Sequence, residues 1–180
     1  TNMNFPSKAH GVIWLIKQLD RYCREDGRPV SFTVAGDGFC KWIVEEFLAT
    51  FNTSVKLDVR LLGFIDDVFS LYAAADLFLY HSEHDGSSNV LLEAKGWGIP
   101  TLVNDYPVFR SIISHGETGL IFSNEVEFQT MLARVIDDEL LRKKLSSGAQ
   151  LDNEKRFSKG AVGLQLEKIL QSISKQHEHR

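Results

Sequence analysis

Apolar positions recur along this chain with two alternating periods. Val12, Leu15, Ile16, Leu19 and Tyr22 repeat at the spacing of one helix face, and Gly27-Arg28-Pro29 predicts where that helix stops. Residues 31–35 are rich in β-formers and predict a short strand, closed by Gly36-Asp37-Gly38. A helix over 41–50 follows, then a strand over 57–62 that ends at Gly63. A short helix over 68–74 leads into Leu77-Phe78-Leu79-Tyr80. That run is apolar on both faces, as expected of a central parallel strand covered by helices. The alternation continues as a helix over 88–96, a strand over 100–103, a helix over 108–114 and a strand over 119–122.

Beyond this point the pattern turns wholly helical. Phe128, Met131, Leu132, Val135 and Ile136 mark one stripe, and Val162, Leu166, Ile169, Leu170 and Ile173 another. Repeated β-α-β units with short connections imply an α/β fold, a doubly wound parallel sheet of Rossmann-like type followed by C-terminal helices. One lobe is expected over residues 1–160, its first strand missing or truncated. A C-terminal helix over 161–180 completes the chain, frayed at 177–180. Such sheets bind ligands at the carboxyl ends of their strands, here after Ala35, Leu62, Tyr80 and Val103.

Composition narrows the classes. The 180 residues are 43% hydrophobic and 24% charged, with 12 Phe, 3 Trp and 4 Tyr, which excludes a disordered or fibrous chain. Net charge is −4, with no basic stripe, so no nucleic-acid partner is expected. Arg142-Lys143-Lys144 lies beside Asp137, Asp138 and Glu139 and reads as a solvated helix face. Cys23 and Cys40 have no partner at metal-ligand spacing, which suits a reduced, cytoplasmic setting. No apolar run approaches the ~18 residues of a transmembrane helix, and no signal peptide is visible. The chain opens at Thr1 without an initiator Met, so a longer polypeptide is expected.

Two loops carry candidate chemistry. Gly36 and Gly38 follow a strand and open a helix, which suits either a plain tight turn or a close backbone approach to a phosphate. The segment from His81 to Ala94 is richer. It leaves the apolar strand and enters a helix capped by Ser87 or Ser88, whose free N–H groups and dipole suit a phosphate. Glu93, further along that helix, is either a solvated residue or an acceptor for the paired hydroxyls of a ribose. His81, Glu83, His84 and Asp85 could suggest a metal, but no second cluster completes a ligand set, and none is assigned.

The run from Asp85 through Asn89 and Glu93-Ala94 to Gly98-Ile99-Pro100 resembles the donor-site signature of GT-B glycosyltransferases of the group 1, family 4 type. In that signature an acidic residue is followed by seven others, then Glu-Ala, then a Gly-x-Pro strand entry. Residues 34–38, 60–64, 71–76 and 116–121 agree in order and spacing, so the likeness covers about residues 8–160. It implies a C-terminal, nucleotide-sugar-binding lobe. By that likeness Glu93 would hold the ribose and Asp85 the donor sugar, the two counted as catalytic. Backbone amides around Ser88, Asn89, Val90 and Leu91 would hold the diphosphate, Phe64 and Ile65 would border the base, and Gly36 and Gly38 would line the donor site. Lys8 is the nearest match to the lysine that neutralises the diphosphate. Asp85 stands where the family more often has Glu, and Met3 where an arginine is usual.

The implied activity is transfer of a hexose, with retention, from a nucleotide-sugar to a glycan or lipid acceptor, as in polysaccharide biosynthesis. No cofactor or metal is implied beyond the donor substrate. The acceptor would bind a separate N-terminal lobe, so this chain alone is expected to bind donor weakly and to turn over nothing. A cytoplasmic protein follows, peripheral attachment to the inner membrane face remaining open for the longer chain. A nucleotide-sugar epimerase or phosphorylase lobe, or a stand-alone nucleotide-binding module, are the alternatives.

Overall fold

A computed structural model of the chain describes residues 1–25, 28–86 and 88–178. The first helix, α1, spans Pro6–Glu25. Proline is favoured in a first helical turn because its missing N–H would have had no acceptor there. The helix therefore begins ahead of the stripe that announced it and brings Lys8 into its opening turn. Of the expected stop at 27–29, Gly27 lies outside the described residues.

The alternation then follows as β1 (Val30–Ala35), α2 (Lys41–Thr50), β2 (Leu57–Gly63), α3 (Val68–Ala74) and β3 (Phe78–Tyr80). Next come α4 (Asn89–Gly96), β4 (Thr101–Asn104), α5 (Pro107–Ile112) and β5 (Leu120–Phe122). Three helices close the chain: α6 (Glu125–Asp137), α7 (Glu139–Phe157) and α8 (Lys159–Glu178). Helix α6 starts on Asn124, whose side chain accepts from the Glu127 N–H, and α7 on Asp138, which accepts from the Leu141 N–H.

Every strand pair is parallel, in two groups: β1 beside β2, and β4 between β3 and β5. Successive side chains serve opposite faces. In β4, Leu102 joins the core built with α1 and α6, while Val103 joins the one beneath α4 and α5. In β5, Leu120 and Phe122 take the first side and Ile121 the second. This is the doubly wound arrangement the alternation predicted. On the first face α1 buries Val12, Leu15, Ile16, Leu19 and Tyr22 against Phe128, Leu132 and Val135 of α6.

Two expectations change. The run 77–80 is not the strand paired on both sides: β4 is, and it is almost fully buried, whereas β3 stands at the edge of its group and is only partly covered. The stripe of α8 also forms no core, since Val162, Leu166, Leu170 and Ile173 are each about half exposed. Of the tail expected to fray, 177 and 178 are helical, and 179 and 180 lie outside the described residues.

Candidate functional site

Three elements converge where β3 ends. Lys8, from the first turn of α1, donates to Asp85 Oδ2 at 2.7 Å and to the Tyr80 hydroxyl at 2.6 Å. Tyr80 in turn donates to the same carboxylate oxygen at 2.6 Å. The side chains of Lys8 and Asp85 are only 12% and 8% exposed, so the pair is poorly screened. Burial, and then the hydrogen bond to Asp85, push the Tyr80 phenol well above its ordinary range, keeping it a donor.

A second couple stands nearby. The buried Tyr72 of α3 donates to Glu93 Oε2 at 2.9 Å, and the same two causes raise its phenol. Glu93 itself is solvent-accessible. Tyr72 occupies one lone pair, and the other acceptor positions of the carboxylate remain. Lys8, Tyr72, Tyr80, His81, Val90 and Glu93 line one cavity of about 190 Å³, with Thr1 at its rim. A drug-sized ligand typically needs ~300–1000 Å³, so a nucleotide held here would extend beyond the cavity.

The loop between β3 and α4 is fixed at its start. The Ser82 N–H donates to Asn104 Oδ1 at 2.9 Å, and Asn104 Nδ2 donates back to the Ser82 carbonyl at 3.1 Å, tying together the ends of β3 and β4. Farther on, Gly86 has open space where a side chain would stand. Ser88 is the N-cap of α4 without a side-chain capping bond, and Ser87 lies outside the described residues. The Leu91 and Leu92 N–H groups both donate to the Ser88 carbonyl, at 3.1 and 3.3 Å. Leu91 is fully buried and its amide already engaged, so Asn89 and Val90 are the residues at the open helix start.

Other expected site residues lie apart from this cavity. Phe64 is 75% exposed on the loop after β2, with Ile65 half-buried beside it. Gly36 and Gly38 have φ of 137° and 151°, the region that favours glycine. The space a side chain would need is filled by the chain's own Thr1 and Met3 backbones. The Met3 N–H donates to the Asp37 carbonyl, and the Cys40 N–H to that of Met3, each at 2.9 Å. The close approach these glycines permit is thus made by the first residues of the chain, and Met3 is buried in the core.

His81 stacks on Trp14 at 4.4 Å, and burial holds its imidazole below the usual pKa. Glu83 and His84 are exposed, and Asp85 is engaged by Lys8. Among the described residues no three His, Cys, Asp or Glu side chains come together as a metal site.

The residues overlooked in the sequence are Tyr72, Tyr80 and Lys95. Tyrosine as the last residue of an apolar strand, just ahead of a charged loop, was the available signal for Tyr80. Lys95 is wholly buried two residues after Glu93 and bonds to the Ile112 carbonyl at 2.6 Å and to Asp152.

Comparison with known proteins shows the family and the fold. A family model described as glycosyl transferases group 1 matches residues 2–138. The lipopolysaccharide core biosynthesis glycosyltransferase LpsD of Rhizobium meliloti is 28% identical over 131 residues, covering 72% of this chain and 38% of the relative. The alpha-D-kanosaminyltransferase of Streptomyces kanamyceticus is 25% identical over 167 residues, covering 91% and 42%. The chain thus spans about two fifths of the length of these relatives. The crystal structure of HepE from Anabaena, in complex with UDP and glucose, superposes with a TM-score of 0.78 at 22% identity, covering 94% of this chain and 46% of that one. At this identity the superposition establishes the fold.

Proposed function

We propose a function on the premise that the family match supplies: the chain belongs to the group 1 glycosyl transferases. It serves, on this reading, as the donor-binding lobe of a retaining enzyme that transfers a hexose from a nucleoside-diphosphate sugar to a glycan or lipid. The observation that carries it is the meeting of Lys8 with Asp85, 77 residues later in sequence, and with Glu93 of the same motif, beside the open start of α4. That HepE is described with UDP and glucose supports the ligand class.

When the donor's anomeric carbon–oxygen bond breaks, negative charge grows on the departing diphosphate. The Asn89 and Val90 amides and the Lys8 ammonium supply fixed positive ends there. Tyr80 and Asp85 hold Lys8 in place, and Asp85 is the carboxylate assigned to the donor sugar. Glu93, steadied by Tyr72, accepts from the ribose diol, while Phe64 and Ile65 border the base. No metal is required in this scheme, because amides and one cation neutralise the charge. The acceptor is held by a further lobe of the longer polypeptide, on which turnover depends.

Calorimetry with UDP-, GDP- and ADP-sugars tests the reading. One of them should bind, Glu93→Ala should abolish that binding, and His84→Ala, at an exposed position with no role in the scheme, should leave it unchanged. Absence of binding at millimolar ligand would refute it.

A further inference from the structure

His81 borders not only the cavity that holds Lys8 and Glu93 but also another. This neighbour measures about 480 Å³, within the ~300–1,000 Å³ usual for ligand pockets. It lies at the carboxyl ends of β3, β4 and β5, marked by His81, Asn104 and Ser123, where doubly wound sheets hold their ligands. Helix α1 serves both spaces. Lys8 lines the first, and Trp14, ~9 Å further along the helix axis, lines the second.

Part of the lining is aromatic. Trp14 stacks on His81 and on Phe122, with ring centroids 4.4 and 5.2 Å away and planes only 16° and 5° apart. Tyr106 adds a further ring. The rest is polar and partly fixed. Asn104 is held by Ser82, and the Asp105 carboxylate by Arg110. Asn124 Oδ1 accepts from the Glu127 N–H at 3.0 Å, which leaves Nδ2 as a donor. Glu83 and Glu125 are exposed, and among the described residues neither forms an ion pair.

This combination selects a chemistry. No Lys or Arg is among the lining residues, so a phosphate or other anion would meet carboxylates without a counter-charge. A wholly apolar ligand would strip water from those carboxylates and give nothing in return. A sugar ring satisfies both parts. The C–H groups of one face rest on aromatic rings, while the hydroxyls around its rim donate to carboxylates, which accept in pairs.

We propose that this cavity seats a non-acidic sugar ring of the glycan acceptor, with one face on the aromatic lining and its hydroxyls on Glu83, Glu125 and Asn124. The inference rests on the donor-lobe reading and deepens it. His81, common to both cavities, sets the ring beside the donor, and the further lobe holds the remainder of the acceptor. The ring nearest the reacting hydroxyl is therefore one without carboxylate or phosphate.

The test is an NMR titration of the 180-residue chain with methyl glucoside, methyl galactoside and methyl glucuronide. It is read at the Trp14 indole N–H and the Ser123 amide. A neutral glycoside should shift both saturably within tens of millimolar, leaving the more exposed Trp42 and Trp97 indoles unmoved. The glucuronide should bind at least about threefold more weakly, because each exposed carboxylate adds a modest repulsion. Glu83→Gln combined with Glu125→Gln, both at exposed positions, should erase that difference. Saturating UDP, GDP or ADP should leave glycoside binding intact and act instead on the Asn89 and Val90 amides, so the two sites are read separately. No saturable shift at Trp14 with either neutral glycoside overturns the proposal, as does a glucuronide that binds equally well. Displacement of the glycoside by a nucleotide-sugar but not by the bare nucleotide would make the cavity the seat of the donor's own sugar and overturn it too. Glycoside binding in a chain that takes no nucleotide would refute the donor reading, and the acceptor role with it, leaving only a sugar site.

Discussion

Replacing Lys95 by alanine should destabilise the chain by about 3 kcal/mol, a figure that follows from what the side chain touches. Lys95 is 0% exposed, bonds to the Ile112 carbonyl and the Asp152 carboxylate, and lies over the Phe157 ring at 5.0 Å. Alanine removes three buried methylenes, worth roughly 0.8 kcal/mol each. It also leaves the Ile112 carbonyl without its donor, at about 1–3 kcal/mol. Asp152 is 24% exposed and keeps Arg156 at 3.1 Å, so its loss falls below the ~3–5 kcal/mol of a fully buried orphaned charge. Against these costs, the ammonium no longer has to be desolvated, and that desolvation is the main cause holding its pKa below the usual lysine range. Lys95→Met keeps the packing while giving up the charge, and should cost only about 1 kcal/mol by the same terms. Urea unfolding with a constant m-value measures both. If Lys95→Ala costs under about 1 kcal/mol, or Lys95→Met costs as much as alanine, the balance of packing against desolvation drawn here is wrong.

Two further outcomes are expected. Tyr72→Phe removes the donor to Glu93 but leaves the ring in place, so chemical unfolding should show a loss of about 1 kcal/mol, small because Glu93 is accessible to water. Nucleotide-sugar binding should weaken in the same variant, and unchanged affinity would remove Tyr72 from its positioning role. Burial is the main cause that holds the His81 imidazole below its ordinary value of 6.5, so the unfolded chain binds the proton more readily. Its contribution is therefore full above pH 6.5 and declines as the pH falls through that value. His81→Phe, which preserves an aromatic ring against Trp14, should flatten the melting temperature between pH 7.5 and 5.5 relative to the parent chain. Parallel profiles would show that another group governs that window.

Local pattern made the elements legible and left their partners hidden. The helices at 41–50 and 68–74 coincide with their expected bounds, because helical spacing and strand-closing glycines are set by neighbours in sequence. Lys8 and Asp85 are 77 residues apart, and nothing local to either shows that they would pair. Lys95 follows Glu93 and Ala94 and precedes Gly96, like many a solvated lysine, and its partners Ile112 and Asp152 lie 17 and 57 residues later. Gly36 and Gly38 advertised a close backbone approach, yet whether a phosphate or the chain's own Thr1 and Met3 makes it is a tertiary fact.

The most informative disagreement is at 77–80, where the apolar run has the character of a strand covered and paired on both sides and stands instead at an open edge. Side-chain pattern reports the surroundings in which a strand is stable; hydrogen-bond pairing reports the neighbours it has. The half-covered residues of β1 and β3, the cavities between them and the bond from the Thr1 amino group to the Ala35 carbonyl occur on the same path. These observations meet along the cavity that Lys8 and Glu93 line, so the edge position of β3 and the shape of that cavity have one origin in the packing of β1 against β3.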